Sequence, residues 1–513
     1  MDKENSIFNF FKNKLRQIVA PGSTLSEKTI KGGFWVFTIR IADRLFQLVR
    51  TIILARLLSP NDFGLFGIAL LVLSTLETFS EAGFRHALIQ KKGDTGQYLN
   101  TTWTVGIIRG FFIAAIVFLS ARPIAIFFKA AAAENILRVI GLAIILESLT
   151  NVSILYFQKE LRFYKYFQYR FLGTIVDVVV AISAAYLLKS VWALVFGLLA
   201  GNLVRCITSY IISPYRPKLQ LNMPMAKELF GFGKWIMGSS ILLFLITHGD
   251  DAFVGKILGT TMLGFYQMAY KISNLPATEI TQVISQVSFP AYSKLQDKLE
   301  RLREAYLKVL KLTSFISFPV AGLVFALAPE FTSIFLGDKW MPMVPAMQAL
   351  AVWGLIRSFG ATTGPLFMGI GKPRFATILQ FIQFIILASL ISSFSIRWGI
   401  LGTSIAVVAA ALVTNIIGGY VVVKLIKCKK ADFLKVVLFP LLNTVIIVSA
   451  LYLIKVYLIN SFTITGFIVV VLAGIIIFSL LLYLFDKFFD YKILSFFKNE
   501  IILRKKNKNF TGK

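Results

Sequence analysis

The sequence predicts an all-α polytopic membrane protein of about 14 transmembrane helices, arranged as two six-helix lobes plus two extra C-terminal helices. Three observations predict it. Of 513 residues, 57% are hydrophobic and only 15% charged, which excludes a soluble domain and a disordered chain. Apolar runs of roughly 20 residues, the length a bilayer core requires, recur along almost the whole chain. The two halves of the chain also match each other at a fixed offset.

The elements follow in order. Residues 1–30 mix Phe8, Phe10 and Phe11 with Lys12, Lys14 and Arg16, and read as an amphipathic segment on the cytoplasmic membrane surface rather than a cleavable signal. The N-lobe, 31–213, holds spans at 31–56, 62–84, 101–121, 134–156, 168–188 and 191–213. A polar cytoplasmic linker, 214–225, carries Pro214, Pro217 and Pro224. The C-lobe, 226–427, holds spans at 229–255, 262–288, 309–328, 343–369, 375–396 and 399–423. Spans thirteen and fourteen, 436–456 and 463–485, fill 436–485, and 486–513 form a basic cytoplasmic tail.

Charge sets the orientation. The net charge of +29 would suggest nucleic acid in a soluble protein, but its distribution decides otherwise. Loops on one side hold Arg85, Lys91, Lys92, Lys159, Arg162, Lys165, Arg216, Lys218 and a dense group from Lys294 to Lys308, with Lys424–Lys435 beyond. The alternate loops hold little: Arg56, Arg122, Lys129, Lys189, Lys256, Lys339, Arg397 and Lys455. Counting the tails, the excess is about four to one, and the positive-inside rule places both termini in the cytoplasm. The charge reports topology and contact with anionic membrane lipids, and nucleic acid is not an expected partner.

The repeat is ungapped. Gly33 and Trp35 match Gly233 and Trp235; Ala55-Arg56-Leu57-Leu58 and Phe63-Gly64-Leu65-Phe66 match Gly255-Lys256-Ile257-Leu258 and Leu263-Gly264-Phe265-Tyr266. Each pair is 200 residues apart (264 − 64). An even number of spans per lobe gives both lobes the same orientation, as in transporters built from parallel repeats.

Charge inside the spans marks candidate chemistry. In span one, Arg40, Asp43, Arg44, Gln47 and Thr51 fall on one helical stripe, with Arg50 at its edge. An Arg at mid-depth costs roughly 2.5–3.5 kcal/mol on insertion scales, so the stripe is expected to face protein or a water-filled cavity. Its surplus guanidinium suits phosphate, which Arg binds through two parallel hydrogen bonds. Arg109, Arg205 and Arg357 extend this cationic path. Glu77 and Glu81 share a face of span two with Ser74 and Thr78, and Asp177, His248, Asp250 and Asp251 are further polar or coupling candidates. Internal ion pairing, such as Arg44 with Glu77, is the competing explanation. The repeat register sets Arg50 opposite Asp250, a pairing to be looked for in the fold. Asn274-Leu275-Pro276 and Gly364-Pro365 are hinge or kink candidates.

Other chemistries lack their signatures. There is no G-x-x-x-x-G-K-[ST] phosphate loop, no G-x-S-x-G elbow and no H-E-x-x-H pair. The outer loops expected at 122–133 and 329–342 are short for a membrane polymerase. Cys206 and Cys428, the two cysteines, make neither a disulfide framework nor a metal cluster. The expectation is a transporter rather than an enzyme, with no metal and no cofactor, and with coupling to H+ or Na+ through carboxylates such as Glu77, Asp177 or Asp250.

The stretch Leu54-Ala55-Arg56-Leu57-Leu58-Ser59-Pro60-Asn61-Asp62-Phe63-Gly64 resembles the polysaccharide-transporter branch of the multidrug/oligosaccharidyl-lipid/polysaccharide flippase superfamily. The likeness is strongest to Wzx-type exporters of the colanic-acid and teichuronic-acid kind. Supporting stretches are Ala87-Leu88-Ile89-Gln90, Val254–Gly259, Ser288-Phe289-Pro290-Ala291, Leu336-Gly337-Asp338-Lys339-Trp340 and Gly369-Ile370-Gly371-Lys372-Pro373, together spanning about residues 30–375. Asp250 stands where such proteins often carry Asp; Asp251 departs from the more usual Asn. The resemblance implies two six-helix lobes around a cavity that opens alternately to each side. It implies a polyprenyl-diphosphate-linked oligosaccharide as cargo, moved from the cytoplasmic to the outer leaflet of a bacterial cytoplasmic membrane for surface polysaccharide synthesis. A polysaccharide polymerase and glycosyltransferases are then expected partners. The rivals are a multidrug or cation antiporter of the same superfamily, a polymerase or ligase of the same pathway, and a scaffold without transport of its own.

Overall fold

A computed structural model describes residues 43–80, 96–160, 162–458 and 463–489. The amphipathic N-terminal segment, the basic tail beyond 489, Arg40 and Glu81 lie outside the described residues. Among those described, every regular element is helical. Helix α1 covers 43–57. It is followed by α2 (Pro60–Ser80), α3 (Gly96–Phe127), α4 (Ala133–Leu149), the short α5 (Ile154–Lys159), α6 (Phe163–Leu188), α7 (Trp192–Ile212) and α8 (Met223–Ile257). Then come α9 (Thr260–Leu295), α10 (Leu299–Phe331), α11 (Val344–Gly369), α12 (Arg374–Leu425), α13 (Lys430–Leu458) and α14 (Ile464–Phe489).

These helices cover the predicted spans with one difference. Span four divides into α4 and α5, parted at 150–153. Spans eleven and twelve are the two arms of α12, separate helices that turn back on one another at Gly399 (φ 59°, ψ −138°), with Ser395 Oγ and Thr403 Oγ1 2.7 Å apart. Eight described helices are long and apolar enough to cross a membrane by composition alone. Among the described residues, α12 counts once for two spans, α4 is 17 residues long and α1 is described over 43–57 alone.

The chain forms two compact units, one ending at Gln267 and the other starting at Met268. In the first, the 59–62 corner is a capping box. Ser59 is the N-cap of α2, Pro60 takes the first helical position, and Asp62 Oδ2 accepts from the Ser59 backbone N–H at 2.9 Å. Asp62 Oδ1 also accepts from Val191 N at 3.0 Å, tying this corner to the start of α7. The 214–225 linker is extended over 213–222 and bonded along α3: Lys218 N donates to Asn100 Oδ1, Gln220 N to Thr104 Oγ1 and Asn222 N to Thr101 Oγ1, at 3.0, 3.0 and 3.2 Å. Asn222 then caps α8, accepting from Met225 N.

In the second unit, Tyr292, Tyr306, Phe367, Val422 and Ile426 form one buried cluster, and Leu327, Ile447, Leu451 and Val470 another. Of the prolines inside its helices, Pro365 and Pro329 leave no stranded carbonyl. Pro365 has no N–H for the Ala361 carbonyl, which accepts instead from Ser285 Oγ at 2.9 Å. Pro329 frees the Phe325 carbonyl, and Gln348 Nε2 donates to it at 3.2 Å. Helix α11 therefore runs through Gly364 and Pro365, with the weak point braced from α9. Helix α9 runs through position 276; the Pro276 side chain lies outside the described ones.

Candidate functional site

Helices α1 and α6 are linked in register with an offset of 127 residues (170 − 43 and 177 − 50). Arg170 Nη2 lies 3.6 Å from Asp43 Oδ2, and Thr174 Oγ1 donates to Asp43 Oδ1 at 3.4 Å. About two turns along, Arg50 Nη2 donates to Asp177 Oδ1 at 2.9 Å. Leu54 and Leu58 then join Ala181 and Ala185 in a buried apolar cluster. The seam thus passes from polar to apolar along its length.

The two ion pairs differ in kind. Arg50–Asp177 is closed, at hydrogen-bond length, with both side chains 11% exposed. Arg170–Asp43 is longer than a hydrogen bond, and its side chains are 46% and 20% exposed. Glycines on α7 fix Asp177 in place: a Cβ on Gly197 would lie 2.7 Å from Asp177 Oδ1, and one on Gly201 2.8 Å from Asp177 Cβ. Such small residues let membrane helices approach closely. The stem of Arg205 packs against Gly173 in the same groove, and its Nη2 donates to Asn202 Oδ1 at 2.6 Å. Among the described residues, no carboxylate lies within ion-pair distance of Arg205.

The other anticipated residues divide into separate groups. Arg44 is exposed on α1 and Gln47 half-buried. Arg109 clips α3 to the end of α2, with Nε donating to Ser80 Oγ and Nη2 to the Glu77 carbonyl, both at 2.9 Å. On α8, Asp250 is 2% exposed and accepts from Tyr266 Oη at 2.5 Å, while His248 Nδ1 lies 3.4 Å from Asp251 Oδ2. Arg50 therefore pairs with Asp177 while Asp250 takes Tyr266; the pairing suggested by the repeat register is not the one formed. In the second unit, Arg357 lies over the Trp353 ring, 5.1 Å from its centroid, with no carboxylate partner among the described residues.

Sequence reasoning missed Arg170. It sits just inside span five, where a charge reads as interfacial. The available signal was its spacing: Arg170, Thr174 and Asp177 fall at i, i+4 and i+7 on one face, complementary to Asp43 and Arg50. The seam thus holds one closed, buried ion pair and one longer, more exposed pair.

Residues 53–345 match the family described as polysaccharide biosynthesis protein. The chain belongs to this family. This polysaccharide biosynthesis protein is 27% identical over 347 residues to the lipopolysaccharide biosynthesis protein WzxC of Escherichia coli (strain K12), covering 67% of this chain and 70% of WzxC. It is 22% identical over 355 residues to the teichuronic acid biosynthesis protein TuaB of Bacillus subtilis (strain 168), covering 69% of this chain and 74% of TuaB. Its fold is similar to that of the lipid II flippase MurJ in the inward closed conformation, with a TM-score of 0.70 and 16% identity, covering 89% of this chain and 99% of that one. The family anticipated from the 54–64 stretch is the one found.

Proposed function

We propose that this protein is a flippase. It moves polyprenyl-diphosphate-linked oligosaccharide units from the cytoplasmic to the outer leaflet by alternating access, for assembly of a surface polysaccharide. The observation that carries this reading is guanidinium at membrane depth without matching carboxylate. Arg205 and Arg357 have no such partner among the described residues, and Arg170 holds its own loosely. Burying such charge is costly unless an anion is its occasional partner. The loose geometry also suits transport, since a site that clamps diphosphate in every state cannot release it.

The protein resides in the cytoplasmic membrane with both termini inside, as the basic loops favour. It acts by moving its cargo, not by catalysis, and hands it to a polysaccharide polymerase fed by glycosyltransferases. Asp250, buried beside Asp251, is the candidate for coupling to H+ or Na+. A cation antiporter would need the reverse balance, an acidic surplus along its path.

The test is reconstitution. Full-length protein in vesicles holding a fluorescent short-chain polyprenyl diphosphate with one sugar should expose the inner-leaflet half of the probe to a membrane-impermeant quencher. Quenching that stops at the outer-leaflet half, as in protein-free vesicles, would refute the reading.

A further inference from the structure

We propose that Arg170, Tyr166 and Tyr169 on α6 form the subsite that receives the diphosphate and first sugar of the cargo, with Asp43 as the counter-ion the diphosphate displaces. This rests on the flippase reading and deepens it.

The first support is the contrast along one seam. Arg50 and Asp177 are locked together, whereas Arg170 is half exposed and 3.6 Å from its partner. A guanidinium forms two parallel bonds to phosphate oxygens and exchanges a distant carboxylate for them readily. The second is composition. Residues 163–171 read Phe-Tyr-Lys-Tyr-Phe-Gln-Tyr-Arg-Phe, and the tyrosines among them are half-buried. The rings of Tyr166 and Tyr169 are 6.1 Å apart, and Tyr166, one turn before Arg170 on the same helical face, interacts with its guanidinium. Rings present apolar faces to the C–H side of a sugar, while their hydroxyls and Gln168 supply polar contacts.

An aromatic belt at the lipid boundary is the ordinary source of such residues. Here the helix separates two faces. Phe167 stacks on Phe171 at 4.8 Å, and Phe171 meets Phe46 edge-on at 5.4 Å, forming an apolar side. Tyr166 lies with Arg170, which is directed at Asp43 of α1. The next cation is in place one turn inward, where the Arg205 stem lies against Gly173. In the topology proposed above, Arg170 is at the cytoplasmic end of this line, where cargo arrives.

The experiment titrates full-length protein in nanodiscs with short-chain polyprenyl diphosphate, bare or carrying one sugar, and reads bound ligand by native mass spectrometry. Arg170→Gln should weaken both ligands by about tenfold or more, the loss expected for a charged hydrogen-bonded pair. Arg170→Lys keeps the charge but not the fork and should fall between; it replaces R170Q if that variant does not fold. The double variant Tyr166→Leu/Tyr169→Leu should weaken only the glycosylated ligand. Asp43→Asn should tighten both, because a competitor is gone, a gain that a merely structural role for Asp43 would not produce. Unchanged binding in R170Q, no tightening in D43N, or equal losses for both ligands in the tyrosine variant would each overturn the subsite alone. Wild-type protein that binds neither ligand would overturn the flippase reading with it.

Discussion

Gly64 on α2 and Gly264 on α9 lie backbone to backbone: a Cβ on Gly64 would sit 3.2 Å from the Gly264 nitrogen, and one on Gly264 3.1 Å from the Gly64 nitrogen. Each added carbon would also overlap a carbonyl, that of Thr260 in the first case and Pro60 in the second. These positions are 200 residues apart (260 − 60 and 264 − 64), so the contact is reciprocal, as a local two-fold axis requires. Asn61 Oδ1 reinforces it by accepting from the Thr260 hydroxyl.

Gly64→Ala should therefore destabilise the protein by about 1–3 kcal/mol through forced separation of two backbones. Gly264→Ala should cost a similar amount. The double variant should cost less than the sum, because one separation relieves both overlaps. Thermal denaturation in detergent measures this. Gly106→Ala is the control, since a Cβ there meets nothing within 4 Å and Ala favours the helix. Equal effects at all three glycines would argue against the contact.

The locked pair makes the opposite kind of prediction. Asp177→Leu leaves Arg50 buried without its carboxylate, and should cost about 3–5 kcal/mol, the range seen when one partner of a buried pair is removed. Arg50→Met added to Asp177→Leu should recover most of that loss, since an apolar pair asks for no desolvation. The fraction of folded protein surviving a heat step reads both. A double variant no more stable than Asp177→Leu would mean that Arg50 does more than answer Asp177.

The brace at Pro365 can be tested by a cycle. Ser285→Ala removes the donor to the Ala361 carbonyl and should cost about 1 kcal/mol. Pro365→Ala restores a backbone N–H one turn below that carbonyl, so adding it to Ser285→Ala should recover the loss. If Ser285→Ala costs the same with Ala at 365 as with Pro, the hydroxyl is not standing in for the missing backbone bond.

Much of this architecture was legible in the chain, and what was not has a definable cause. Run length and loop charge located the helices, because the bilayer imposes one length and one charge rule everywhere. Four of the stretches that carried the family resemblance, at 54–64, 254–259, 336–340 and 369–373, contain corners. Ser59–Asp62 is a capping box, and Gly259, Gly337 and Gly371 all adopt positive φ between helices. Partners were not legible. Periodicity puts Arg50 on a face of α1 but says nothing of which helix lies opposite, and the repeat register points to Asp250 where the fold supplies Asp177. Glycines on a third helix, Gly197 and Gly201, settle the choice by letting α7 press Asp177 into place. Arg170 escaped because a single charge near a span end is ordinary until Asp43 is seen across from it.

The linker offers the last prediction. The 214–225 segment, polar and carrying three prolines, is strapped to α3 at every second residue from 218 to 222. Asn100 is the centre of that strap. Its Oδ1 accepts from Tyr215 Oη at 2.6 Å and Lys218 N at 3.0 Å, and its Nδ2 donates to Gln220 Oε1 at 3.1 Å. Removing three bonds worth about 1 kcal/mol each should raise local opening by tenfold or more. Asn100→Ala should accordingly speed trypsin cleavage after Lys218 by about tenfold, while Arg216, which precedes Pro217, stays resistant in both proteins. Thr101→Val, which removes only the acceptor for Asn222 N, should have a smaller effect in the same direction. Wild-type protein cut at Lys218 as fast as Asn100→Ala would show that the strap does not hold in solution.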